Sequence, residues 1–353
     1  MSTSFKFTVL VVVLIYAGMM TSCKTSSIYI DKYLPAEVDL GRGMDTLIII
    51  DRSKPPRSFG NVVEGVLTGG GQFVNGESAM EVLEGIFSGL YDSPRFNFRL
   101  VEDRLSGGGF TAFLGKAPEP MSWEEVVEIC EEFEGDGLVV LEALYPDVNV
   151  RNYTKERKKK GKNGKTEVII EYYAEETVDI DALFRVYDAK NKVIVDEHRF
   201  THRMRWNAKG NSPTNAADRL IDRRAAVMET SRASGVSYAR RIAPSPARVM
   251  RFYFRKSQRD PYIKEAHQRI LEGDWEGAMD DWYYVFEMSN KKKTIGRAAY
   301  NLAVGYEVLG DLETAKEWAN EAISLNNRKA KKYLHSLSIR MKNEERLRQQ
   351  MGE

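Results

Sequence analysis

The sequence predicts an α+β protein in two parts. The first is an N-terminal α/β sandwich, residues 40–243, with a mixed sheet and a long β-hairpin. The second, residues 258–353, is an all-α region of repeated helices. Three observations predict this. Short apolar runs alternate with segments of helical period between residues 44 and 144. A long two-residue alternation between residues 178 and 206 is interrupted by one turn-forming run. Beyond residue 258, a pattern of Ala, Gly-Asp and Ala recurs at a spacing of 37 residues.

Residues 1–6 (MSTSFK) carry one charged side chain, Lys6, and precede an apolar run from Phe7 to Met20. That run is shorter than the roughly 20 residues a bilayer span needs and suits the core of a secretory signal. Met20-Thr21-Ser22-Cys23 follows. It resembles the lipobox of secreted bacterial lipoproteins, with Ser22 as the small residue before the cut and Met20 where leucine is most usual. The resemblance implies a signal peptide over 1–22, lipidation of Cys23 with palmitate-type chains, and a tether over 23–39. A single acyl chain binds a membrane only marginally and two or more bind it stably, so the lipid on Cys23 makes the membrane the first expected partner. Lys24, not aspartate, follows the cysteine. The inner-membrane retention signal of that family is therefore absent, and the outer membrane is expected. No acidic cluster follows Cys23, which points to the periplasmic face.

In the sandwich region, Met44–Asp51 reads as a buried strand and residues 77–91 as a helix with Met80, Val82, Leu83, Ile86 and Leu90 on one face. Phe96–Val101 alternates as a strand. Ser122 and Glu125 form a capping box before a helix over 123–134, which Gly135-Asp136-Gly137 stops. Leu138–Leu144 is the next strand. Val178, Ile180, Ala182, Phe184 and Val186 share one strand face, and a turn at 188–192 leads into a strand over 193–206. An amphipathic helix over 213–241 ends before Pro244-Ser245-Pro246, and residues 244–257 read as a linker. This order, with the hairpin LFRVYDAKNKVIVDEH and a closing helix, resembles the curli-secretion and penicillin-binding-protein-activator lipoproteins. Those families assemble or regulate envelope machines and imply no active site in this domain.

In the C-terminal region, Ala266/Ala303, Gly273/Gly310, Asp274/Asp311 and Ala278/Ala315 are equivalent pairs. The pattern resembles the tetratricopeptide repeat, in which small residues let paired helices approach and Gly-Asp makes the turn; the usual period is 34 residues. The extra residues fit the loop 289–296, and Asn290 and Asn327 stand where proline is common. Helices are expected at 260–272, 275–288, 296–309, 312–325 and 328–346, the last a capping helix. Two repeats and a cap fall short of the three or so needed for independent stability, so packing against the sandwich is expected. The resemblance implies a groove for a protein partner, with Tyr300, Tyr306 and Trp318 as candidate contacts.

The 52 basic and 51 acidic residues leave almost no net charge, which argues against a general nucleic-acid binder. Of two cysteines, Cys23 is expected to be lipidated, so Cys130 has no intramolecular partner and reads as a buried thiol on an apolar helix face. No metal or cofactor is expected. His198 and His202 point the same way along a strand but stand about 13 Å apart, too far to share one zinc. The glycine runs at 68–72 and 105–110 lack the Lys-Ser/Thr ending of a phosphate loop. Asp179 and Asp181 share a solvated strand face. The most biased stretch is Lys155–Lys165 (KERKKKGKNGK), a basic hairpin tip or loop around Asn163-Gly164. Lys158, Lys159, Lys160 and Lys162 are candidate contacts to a membrane surface or an acidic partner.

The expected function is that of a non-enzymatic, lipid-anchored scaffold or adaptor for an envelope protein partner. A glycan- or small-ligand-binding lipoprotein is the alternative. An enzyme with a site in the loops 52–75 and 103–120 is a further one.

Overall fold

The computed structural model describes residues 25–53, 74–101, 117–160, 166–257 and 260–352. Cys23, Lys162, the signal segment, both glycine runs and most of the loops 52–75 and 103–120 lie outside the described residues. The chain is of mixed α+β class, a sheet region followed by a run of helices. It divides into two compact units, one of Pro35–Ser245 with Leu347–Glu353, the other of the chain up to Leu34 with Pro246–Arg346.

The sheet unit holds β2 (Thr46–Asp51), α1 (Val74–Tyr91), β3 (Asn97–Leu100), α2 (Trp123–Glu132), β4 (Gly137–Lys160), β5 (Thr166–Asp188), β6 (Val193–Gly210), α3 (Pro213–Ala217) and α4 (Arg223–Ile242). The strands run in the order β3-β2-β4-β5-β6. Both neighbours of β2 are parallel to it, and the β4–β5 and β5–β6 pairs are antiparallel. Leu47 to Ile50 are all fully buried. Such an unbroken apolar run belongs to a strand covered on both faces. α1 and α4 cover Leu47, Ile49, Val139 and Phe184, while α2 covers Ile48, Ile50, Leu138 and Val140. The unit therefore has three layers. The expected single helix over 213–241 is two: Asp222 caps α4 through Ala225 N–H, which starts a new helix after the break.

Cys130 sits in the α2 layer at 5% exposure, and burial pushes its thiol up to about 11. At about pH 8 the folded protein is expected to resist Ellman's reagent for hours, and one thiol should react on unfolding. Reaction of native protein within minutes would show that α2 does not seal this face.

Two expectations from the sequence are corrected here. The tether 23–39 contains strand β1 (Thr25–Leu34), and the linker 244–257 contains strand β7 (Ser245–Phe254); the two form a separate two-stranded sheet. β1 and the rest of β7 belong with the helices α5 (Pro261–Leu271), α6 (Trp275–Met288), α7 (Lys292–Leu309), α8 (Leu312–Ser324) and α9 (Ala330–Met351). Tyr253, Phe254 and Ile28 join the core of that unit.

The recurring residues have the roles their chemistry allows. Ala266, Ala278, Ala303 and Ala315 are fully buried where helices meet. Gly273 and Gly310 adopt φ of +84° and +89°, a region open to glycine, and so end α5 and α7. Asp274 and Asp311 then cap α6 and α8 by accepting from the backbone N–H of Gly277 and Thr314.

Candidate functional site

The residues singled out from the sequence fall into three places. Tyr300 is buried, packs against Phe254 and Tyr333, and is pushed up to about 12 by burial. Tyr306 and Trp318 are half-buried in an aromatic cluster instead. Tyr306 shares a hydroxyl contact of 2.5 Å with Tyr283, and Trp318 meets Tyr283 and Phe286 edge-on. Lys158, Lys159 and Lys160 are exposed on strand β4. They pair with Val168, Glu167 and Thr166 of β5 in an arm that continues past the end of β6. Asp179 and Asp181 are bound by Arg203 and Arg199. His202 faces Ser237 at 3.3 Å and His198 stacks on Phe200. No group of histidine, cysteine and carboxylate among the described residues is placed to hold a metal.

Two buried carboxylates organise charge. In the sheet unit a register shift between Leu141 and Ala143 turns Glu142 inward, where it accepts from Arg52, Arg185 and Tyr187. In the helical unit Glu307 is fully buried. Arg251 of β7 donates to both its oxygens at 2.7 and 2.8 Å, Tyr333 donates at 2.9 Å, and Arg340 donates at 3.1 Å. Lys32 of β1 lies close by, pulled down by burial and then by Arg340 and Arg251. Asn301 fixes β7 to α7: its side chain accepts from Phe254 N–H and donates to Phe254 C=O, each at 2.7 Å. The face of α7 that carries Arg297, Asn301 and Glu307 is thus engaged by the chain's own strand.

What that strand leaves open is a groove of two adjoining cavities, of about 610 and 410 Å³, which share Arg328 and Lys329. The first is lined by Phe254, by Lys292, Lys293, Gly296 and Arg297 of α7, and by the turn 325–329. The second is lined by Met250, Arg251 and Phe252 of β7, by Tyr300, and by Lys332, Tyr333 and Ser336 of α9. The turn has a built geometry: Asn326 is at φ +62°, and the Asn327 side chain donates to Gly296 C=O at 2.7 Å. No carboxylate lines either cavity.

The electrostatics are one-sided. Lys291, the residue before α7, makes no side-chain cap, α7 has no acid in its first turn, and α9 likewise has none. A helix N-terminus is already positive, so lysines there are unfavourable. Lys329 lies over the rings of Phe252 and Phe254, and the Arg297 guanidinium is 4.9 Å from Phe254. Arg297 is only 8% exposed and donates to Lys256 C=O and the Ser257 hydroxyl. Burial pulls its pKa down. Among the described residues no ion pair joins Lys292, Lys293, Arg297, Arg328, Lys329 or Lys332 to a carboxylate.

Of the residues the sequence singled out as contacts, Tyr300 lines the second cavity, and these cations were not singled out. The signal was present: Lys292 and Lys329 stand 37 residues apart, the same spacing as the Ala and Gly-Asp pairs.

The chain matches two families. One, described as a domain of unknown function (DUF8603), matches residues 44–254. Another, described as a domain of unknown function (DUF6340), matches residues 264–346. No curated protein matches the chain. Among solved structures, it is similar to the PelC dodecamer from Paraburkholderia phytofirmans, at 10% identity over 62% of this chain and 99% of that one, with a TM-score of 0.25. It is also similar to a homolog of a neuraminyllactose-binding hemagglutinin from Helicobacter pylori, at 9% identity over 67% of this chain and 94% of that one, with a TM-score of 0.24.

Proposed function

We propose a role for a chain that belongs to the family described as a domain of unknown function, DUF8603. In this reading it is a non-enzymatic, lipid-anchored envelope protein that works as a scaffold or adaptor at the outer membrane, facing the periplasm. The anchor rests on the lipobox resemblance at Cys23. The observation that carries the adaptor is the β4–β5 arm. Lys155, Arg157, Lys158, Lys159 and Lys160 lie on one strand of it, and Val168 and Ile170, 55% and 54% exposed, lie on the other. In an antiparallel ladder directly opposed residues share a face, so Lys158 stands beside Val168. On that face Lys158 and Lys160 flank Val168, while Ile170 stands opposite Glu156; Lys155, Arg157 and Lys159 lie on the other face with Ile169. Cations beside exposed apolar side chains suit an acidic protein surface with an apolar centre, and tethering lets a weak contact suffice.

Lysines on an open strand also guard against edge-to-edge pairing. Substituting Lys158, Lys159 and Lys160 together with glutamate keeps that protection and inverts the docking charge. In-cell cross-linking of tagged protein is expected to recover specific envelope proteins from the wild type. The triple variant should lose them at unchanged expression, and Cys23→Ser should move the protein to the soluble fraction. Identical cross-links from the triple variant would overturn the arm's role. A second reading, a small-ligand-binding lipoprotein, is favoured by the groove in the helical unit.

A further inference from the structure

We propose that the groove at the starts of α7 and α9 binds a ligand carrying clustered phosphate groups. The inference rests on the second reading and is independent of the adaptor reading. Six cations, Lys292, Lys293, Arg297, Arg328, Lys329 and Lys332, face two adjoining cavities whose walls hold no carboxylate. Three of these placements work against the stability of the fold on its own. Two of the lysines occupy the uncapped first turn of α7, where the helix dipole repels them. Arg297 is more than nine-tenths buried, keeps its charge without an acidic partner, and lines the larger cavity. A buried unpaired cation is costly unless something neutralises it. Glu307, the fully buried acid of the same helix, has its oxygens taken by Arg251, Arg340 and Tyr333.

An anion meets all of these demands together, and the number of cations selects its kind. One carboxylate neutralises one cation. A phosphate monoester brings up to two charges and three acceptor oxygens, and helix N-termini present free N–H groups to such oxygens. The smaller cavity adds Met250, Phe252 and Tyr300, a floor for the carbon framework that bears the phosphates. A lipid headgroup and a soluble phosphorylated sugar share this chemistry.

The test is calorimetric titration of the full chain, extracted in neutral detergent, with pyrophosphate, citrate, a short-chain cardiolipin, whose headgroup carries two phosphodiesters, and a sugar bisphosphate. Pyrophosphate is expected to bind at least tenfold more tightly than citrate, with an affinity that falls as salt rises. An Arg328→Glu/Lys329→Glu variant, and separately Lys292→Glu/Lys293→Glu, should each weaken it at least tenfold. All four side chains are exposed, so both variants are expected to fold. The arm variant with glutamate at 158, 159 and 160 should bind as wild type, which separates this outcome from the fate of the adaptor. Cardiolipin exceeding pyrophosphate assigns the source to a lipid surface, and the sugar bisphosphate exceeding it assigns a soluble ligand. Equal affinity for citrate and pyrophosphate, or unchanged binding in both groove variants, overturns the proposal.

Discussion

Replacement of Glu307 by alanine is expected to cost the protein about 3–5 kcal/mol of stability, the range for removing one partner of a buried charge network. The side chain is fully buried, while the guanidinium groups of Arg251 and Arg340 are 13% and 8% exposed. Without the carboxylate, Arg251 remains in the interior with no acidic partner, Arg340 keeps only Glu344, and Tyr333 keeps only the Ala303 carbonyl. The unpaired charge, not the lost hydrogen bonds, supplies most of the cost. Replacing all three together, Arg251→Met, Glu307→Leu and Arg340→Met, is therefore expected to cost less than the single change. The pH dependence has a definite sign. Burial raises the Glu307 pKa, but the bonds and charge of Arg251, then Tyr333 and Arg340, outweigh it and hold the pKa below the ordinary value. A lowered folded pKa means that the stabilisation is present above the unfolded value, about 4.3, and is lost as pH falls through the folded one. Urea unfolding followed by fluorescence should show the gap between wild type and Glu307→Ala at pH 7 and its closure in acid. A loss under about 1 kcal/mol at neutral pH would show the network to be solvated.

How far these features could be read in the sequence depends on how local their causes are. β2, α1 and the Gly-Asp turns are set by neighbours a few residues apart, so periodicity and capping chemistry located them. β1 and β7 are set by each other across the whole sheet unit. Their inward positions also include Lys32 and Arg251, which break the apolar alternation that marks a half-buried strand. Arg251 faces inward because Glu307 receives it, and that pairing belongs to the fold. The basic stretch after Tyr153 drew attention for its composition, yet it continues a strand through Lys160, because Val168 and its neighbours on β5 keep the ladder going. The groove was hidden for a related reason. Lys292 and Lys293 read as solvated loop residues until the start of α9 brings Arg328 and Lys329 to the same cavity.

Where helices touch through backbone, one added carbon has a large effect. A Cβ on Gly235 of α4 would stand 2.0 Å from Val82 O and 2.8 Å from Ile86 N, and one on Gly85 of α1 would stand 2.1 Å from Arg232 O. Neither neighbour is a side chain that can rotate away, so α1 and α4 must separate by more than an ångström. The contacts of Val82, Ile86, Tyr238 and Ala239 that seal the sheet go with them. Gly235→Ala gains about 1 kcal/mol of helix propensity and is still expected to lose about 3 kcal/mol net, at the upper end of overpacking costs. Gly305→Ala is the control. Its Cβ comes closer than 3.0 Å only to the flexible Met279 side chain, at 2.8 Å, with the Trp282 ring in ordinary contact at 3.4 Å, and it should range from neutral to about 1 kcal/mol more stable. The double variant of Gly85 and Gly235 distinguishes the cause. One separation relieves both clashes, so the double change should cost at least about 1 kcal/mol less than the sum of the singles. Strict additivity in urea unfolding would mean that the two glycines do not serve one crossing, and that each helix loses stability on its own.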